Sequence, residues 1–85
     1  MIQQSPGKRL VTVINIFRLE PQQQAAAVKG IEQLYERVMK KQAGFVTVAV
    51  YRSLDGRRVA VQSQWKGREL FEAALRRPEV MNGLR

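Results

Sequence analysis

Neither cysteine nor histidine occurs among the 85 residues. Without cysteine there is no disulfide, thiolate nucleophile or thiolate metal site, a composition that suits the cytoplasm. Without histidine the chain lacks the commonest metal ligand and the side chain best suited to proton transfer near neutral pH. Ser/His/Asp and Cys/His catalysis, zinc sites and histidine-ligated haem are therefore excluded within a single chain. Long hydrophobic runs are missing as well. No stretch nears the roughly 18 apolar residues of a membrane span, and the opening "MIQQSPGKR" has no apolar signal-peptide core. The expectation is a cytoplasmic protein with no bound metal and no membrane partner.

Negative charge is scarce: 7 Asp+Glu stand against 15 Lys+Arg, a net charge of +8. Such a balance raises nucleic acid as a partner. Here the basic residues are spread as the pairs Lys8–Arg9, Lys40–Lys41, Arg57–Arg58 and Arg76–Arg77. They fall at element ends and turns, where solvated charge is ordinary. RNA-reading sheets stack bases on aromatics of their central strands, and no matching aromatic cluster is present. Nucleic-acid binding ranks last among the readings.

What is present is enough for one domain, expected over residues 10–85 behind a flexible arm of residues 1–9. Its first strand, "LVTVINIFRL", is apolar on both sides. Val11, Val13, Phe17 and Leu19 share one face with Asn15, while Leu10, Ile14 and Ile16 share the other with Thr12 and Arg18. A half-solvated strand alternates apolar with polar, so the second face also needs a cover.

Pro21 suits a first helical turn. Val28, Ile31, Leu34, Tyr35, Val38 and Met39 then follow at amphipathic-helix spacing. Lys40 and Lys41 are expected in the last turn and Gly44 as the stop. Gly30 in the helix suggests close packing against the sheet. "FVTVAVYR" places Val46, Val48 and Val50 on one face and Phe45, Ala49 and Tyr51 on the other. Asp55–Gly56 marks a hairpin turn. The return strand, "RRVAVQSQW", points Val59, Val61, Ser63 and Trp65 one way and Arg58, Ala60, Gln62 and Gln64 the other. A second helix follows, with Leu70, Phe71, Ala74 and Leu75 expected to be buried, and Pro78 starts a further turn.

The order β–α–β–β–α predicts an α+β ferredoxin-like plait, an antiparallel sheet with helices on one face. The usual plait ends in a fourth strand beside the first, and none is visible after the second helix. Either the chain ends early or that edge is covered differently. Two helices cover one face of the sheet only. Leaving the other face wet forfeits several kcal/mol at about 25 cal/mol per Å², so a homodimer packed sheet against sheet is expected.

"VTVINIF", "KQAGFVTVAVYRSLDGRRVAVQSQW" and "FEAALRRPEV" together resemble the antibiotic biosynthesis monooxygenase domain family from about Leu10 to Arg85. The resemblance implies a dimeric α+β barrel and, in some members, oxygenases needing no cofactor. Those members convert phenolic or anthrone-type aromatics to quinones with molecular oxygen, the substrate supplying the electrons. Other members act on quinols or degrade haem. Trp65 matches the tryptophan that oxygenase members carry at the end of the third strand. They often place an asparagine four residues before it, where this chain has Val61. Asn15 is the nearest substitute, since haem-degrading relatives use an asparagine on the first strand. Those relatives also need a histidine to hold iron.

On this resemblance Trp65 and Asn15 are the candidate catalytic residues. Tyr51, Gln62, Phe71 and Arg85 are the candidates for binding a small aromatic substrate, with no cofactor and no metal. Each has a plainer role open to it: Trp65 as a core anchor, Asn15 as a partner for backbone or solvent, Gln62 on a solvated strand face. Tyr35 fits the helix core pattern too well to be favoured. The alternative function is a non-catalytic ligand-binding or structural dimer, towards which Val61 and the missing histidine point.

Overall fold

The computed structural model describes residues 2–5 and 10–83. Two strands, Ile2–Ser5 (β1) and Leu10–Arg18 (β2), precede a helix at Gln24–Arg37 (α1). Strands Phe45–Arg52 (β3) and Arg58–Trp65 (β4) form the hairpin, followed by helices Arg68–Leu75 (α2) and Pro78–Gly83 (α3). All pairings are antiparallel, in the order β1-β2-β4-β3. This is the expected α+β ferredoxin-like architecture. The place beside β2 that a terminal fourth strand would take is filled from the other end of the chain. Ile2–Ser5, inside the stretch expected to be a loose arm, pairs with Val13–Leu10. That pairing satisfies the edge of β2 that the sequence left open.

The core lies between the sheet and the helices. Val11, Val13, Val59, Val61 and Trp65 meet Val28, Tyr35, Met39, Phe71, Ala74 and Val80, all buried. The period-2 reading holds for β2 and β4. It fails at the start of β3, where the register slips between Phe45 and Thr47. A bulge adds one residue and reverses the parity before it. Phe45 therefore joins Val48 and Val50 against the core, while Val46 turns outward. An aromatic cluster results: Trp65 meets Phe45 and Phe71 edge to face, each at 5.4 Å, and Phe45 lies tilted against Tyr35 at 5.9 Å, centroid to centroid.

The hairpin turn forms where Asp55–Gly56 places it. Gly56 has φ +77°, and the Asp55 carboxylate accepts hydrogen bonds from the Ser53 hydroxyl at 2.6 Å and the Arg57 N–H at 2.9 Å. Those bonds, the Ser53 hydroxyl's first, hold the Asp55 carboxyl below its usual range. The buried Gln24 amide ties α1 to the same turn, donating to the carbonyls of Ser53 at 3.1 Å and Arg58 at 3.0 Å.

Helix details depart from expectation in three places. Alpha-helix ends at Arg37, so Lys40 and Lys41 sit in a separate 3-10 turn, Met39–Lys41. Leu70 and Leu75, expected to be buried, are exposed, whereas Phe71 and Ala74 are buried as expected. The third concerns the glycines. Gly44 has φ +87° and stands where a Cβ would meet the Leu70 Cβ at 2.7 Å, so it admits α2 to the start of β3. Gly30 serves no such approach, because nothing lies within 4 Å of its would-be Cβ. Gly30→Ala is therefore expected to raise stability by about 0.5–1 kcal/mol. A higher urea midpoint with an unchanged m-value would register the gain.

No helix among the described residues is long and apolar enough to cross a membrane.

Candidate functional site

The period-2 alternation of β2 and β4 sends Asn15, Phe17 and Val61 to the helix side. The 3.6-residue period of α1 brings Ile31, Leu34 and Tyr35 over them, with Met39, Phe71 and Leu75 closing the rest. These side chains enclose a cavity of about 250 Å³. Asn15 and Tyr35 are the two residues of its lining that carry a polar side-chain group. A larger depression, about 480 Å³, runs between α1 and β3. It carries Glu32, Glu36 and Lys40 on its rim, the last two ion-paired, and reads as a solvated groove. The smaller space has the character of a ligand site, mostly apolar with a few placed polar groups.

Asn15 and Val61 are direct partners across the β2–β4 ladder. Side chains at such positions share a face with Cβ atoms about 4.5–5.5 Å apart. Both line the same cavity, Asn15 with an amide and Val61 with an apolar side chain. Asn15 is exposed and Phe17 is 45% exposed, which makes this end the cavity's mouth.

Trp65 is placed differently. It is fully buried, beyond Phe71, and does not line the cavity. Its indole N–H donates to the Ser63 Oγ at 3.0 Å. Phe71 touches both, packing against Trp65 at 5.4 Å between ring centroids and lining the cavity.

Of the residues singled out in the sequence, the cavity brings together Asn15 and Phe71. Gln62 and Tyr51 stand on the opposite face of the sheet. Gln62 is one residue out of phase with Val61, and Tyr51 pairs with Ala60 on the outward side. Alternation forbids both from reaching the helix side. Arg85 falls outside the described residues.

The spacing of Tyr35 marks it as a core residue. Its ring is indeed buried, but it also forms cavity wall. Burial pushes its phenol above the ordinary tyrosine range, and a hydrogen bond with the Ser63 side chain partly offsets that. The signal was there in the pairing of a tyrosine on the helix stripe with a serine on the inward face of β4. A buried tyrosine hydroxyl usually finds a partner. The phenol is therefore protonated at neutral pH. Its contribution to stability is complete below the unfolded value of about 10 and is lost as pH rises through the higher folded value.

A helix-covered antiparallel sheet enclosing a small apolar cavity defines an α+β plait built around a ligand-sized space. The chain belongs to the antibiotic biosynthesis monooxygenase family, whose model matches residues 10–83. It is similar to the tetracenomycin-F1 monooxygenase of Streptomyces glaucescens, with 30% identity over 69 residues. The match covers 81% of this chain and 62% of that protein, so the chain spans less than two thirds of that relative's length. Among solved structures, a conserved protein from Methanosarcina mazei superposes with a TM-score of 0.77 at 15% identity, over 91% of this chain and 76% of that one. A mutant of SnoaB, a cofactor-independent oxygenase from Streptomyces nogalater, gives 0.74 at 20% identity, over 89% and 76%. At these identities the structures establish a shared fold.

Proposed function

We propose that this protein is a cofactor-independent monooxygenase oxidising a small phenolic, anthrone-like or quinol-like aromatic with molecular oxygen. Family membership and the monooxygenase relative support the reaction class. The observation that carries the reading is the Asn15 amide, in register with Val61 at the mouth of an otherwise apolar cavity. At about 250 Å³ the cavity is smaller than the roughly 300–1,000 Å³ usual for drug-sized ligands, which favours one or two fused rings.

For 1-naphthol the reaction balances without a cofactor. The ring carbon para to the hydroxyl loses its hydrogen and gains one oxygen atom as a carbonyl. The hydroxyl oxygen becomes the second carbonyl, and the other atom of O2 leaves as water with both hydrogens. Four electrons pass from substrate to oxygen. The naphtholate is the electron donor, and its proton leaves to solvent at the open mouth. Asn15 N–H groups hydrogen-bond the naphtholate oxygen and favour the anion.

Oxygen uptake with 1-naphthol and 1,4-dihydroxynaphthalene tests the proposal, with three-ring anthrone as a probe of the size limit. The expected result with 1-naphthol is one O2 consumed per quinone, with one labelled atom incorporated from 18O2. Binding of both naphthalenes without uptake would replace the oxygenase with a non-catalytic ligand-binding protein. Two features favour that second reading: Val61 where family oxygenases often carry asparagine, and a cavity lining with no carboxylate or amine.

The same reading places the protein in the cytoplasm as a homodimer joined through the sheet faces that the helices leave open. Ile16 is 66% and Tyr51 53% exposed on that face, beside Ile14, Ala49 and Ala60. Apolar area of this kind is worth about 25 cal/mol per Å² when covered. Ile16→Asp is expected to convert a dimer into a monomer by sedimentation velocity. A wild-type protein that sediments as a monomer at micromolar concentration would overturn this arrangement.

A further inference from the structure

The cavity has two ends, and strand register tells them apart. At the start of α1 the Gln24 amide donates to the carbonyl of Arg58, which pairs with Arg18 at the end of β2. Further along α1, Tyr35 packs on Phe45, which pairs with Trp65 at the opposite end of the sheet. The helix therefore runs from the Arg18 end towards the Trp65 end. Along the cavity wall Ile31 comes first and Met39 last, about two turns further on. Burial follows the same order. Asn15 is exposed and Phe17 is 45% exposed at the mouth, whereas Met39 is 3% exposed.

Among the buried lining residues, Met39 has the most freedom to move. Tyr35 is held by Phe45 at 5.9 Å and Phe71 by Trp65 at 5.4 Å between ring centroids. Val61 is β-branched and stiff, on a strand flanked by β2 and β3. Met39 is unbranched with three rotatable bonds, and its thioether makes favourable contacts at the edge of an aromatic ring. Its backbone is fixed in the turn after α1, where its carbonyl accepts from the Gln42 N–H at 3.0 Å. A fixed backbone with a flexible apolar side chain makes an adjustable wall.

We propose that Met39 is the floor of the cavity and the residue that limits its ligand to two fused rings. The ligand's oxygen stays with Asn15 at the mouth, and the ring remote from that oxygen meets the Met39 thioether. The inference rests on the reading of the cavity as an aromatic-ligand site. Met39 sets specificity only, and no bond forms or breaks at its sulfur.

Phenol, 1-naphthol and 1-anthrol form a series in which each member adds one fused ring away from the hydroxyl. Anaerobic calorimetric titration of the full chain with all three tests the floor. The wild type is expected to bind 1-naphthol about tenfold more tightly than 1-anthrol. Met39→Ala removes the sulfur and two carbons, and is expected to raise 1-anthrol affinity relative to 1-naphthol about tenfold, the scale set by a methylene or two in an apolar pocket. Met39→Phe fills the floor instead, and is expected to weaken 1-naphthol about tenfold while sparing phenol. This second variant leaves no hole in the core, so it decides the matter even where Met39→Ala is too unstable to titrate. Equal loss of phenol and 1-naphthol in Met39→Phe, or an unchanged naphthol-to-anthrol ratio in folded Met39→Ala, would overturn the floor and leave the cavity reading standing. Failure of the wild type to bind any of the three would overturn both.

Discussion

Asn15→Ala is expected to lower the turnover of a naphthol by about a hundredfold while leaving the melting temperature nearly unchanged. The magnitude is the lower end of the roughly 10²–10³ that removal of one oxyanion donor costs, because Asn15 stands at the open mouth. The fold should tolerate the change, since the side chain is exposed and no core contact depends on it. Steady-state oxygen uptake should show the loss mainly in kcat, with a smaller rise in KM. The register supplies a sharper test. Asn15 and Val61 face one another on the same side of the sheet, so Asn15→Ala combined with Val61→Asn moves the amide across one strand. Partial recovery in the double variant, beyond the product of the single effects, would show that the cavity needs an amide rather than this residue. A double variant no better than Asn15→Ala would mean that the strand matters, and that geometry on β2 sets the ligand's orientation.

Trp65→Ala is expected to destabilise the fold by about 3–5 kcal/mol, the usual cost of deleting a large buried aromatic. Trp65 is fully buried, stacks edge-on with Phe45 and Phe71, and satisfies its indole N–H on Ser63. A domain of this size is stable by only about 5–15 kcal/mol, so the variant should unfold at markedly lower urea or populate the unfolded state outright. Trp65→Phe keeps a ring but gives up the hydrogen bond and some volume, for about 1–3 kcal/mol. The ordering separates core anchor from reacting group. A residue that met the substrate directly would lose activity on Trp65→Phe at unchanged stability, whereas this tryptophan should lose stability and keep its activity per folded molecule. Chemical denaturation alongside oxygen uptake reads both quantities on the same samples.

Much of the architecture is legible in the sequence. The spacing of Val28, Ile31, Leu34 and Tyr35 is a helix signal, Asp55–Gly56 a turn signal, and the inward set Val59, Val61, Ser63 and Trp65 a strand signal. Each depends on residues near one another in the chain, where backbone geometry alone fixes direction. The doubly apolar β2 likewise announced a sheet with two faces to cover. Asn15 was found as a candidate by resemblance, and Phe71 by its helix face.

Other features were not legible, and for a common reason. The bulge that turns Phe45 inward and Val46 outward is a property of the pairing between β3 and β4, not of either strand. Gly30 and Gly44 look alike as letters, yet only Gly44 has Leu70 against it. Gln62 and Tyr51 carry suitable chemistry, but the side of the sheet they occupy is decided by which residues pair and where the helices lie.

By itself, then, the sequence determined the elements, their order and the chemistry this chain lacks, because periodicity and composition are local or additive. Tertiary structure alone decided that Ile2–Ser5 would guard the edge of β2 and that Asn15 would stand opposite Val61. It also decided that the one tryptophan would spend its hydrogen bond on Ser63 rather than in the cavity. These are contacts between segments far apart in the chain, set by register and by helix-on-sheet packing, which no single segment encodes.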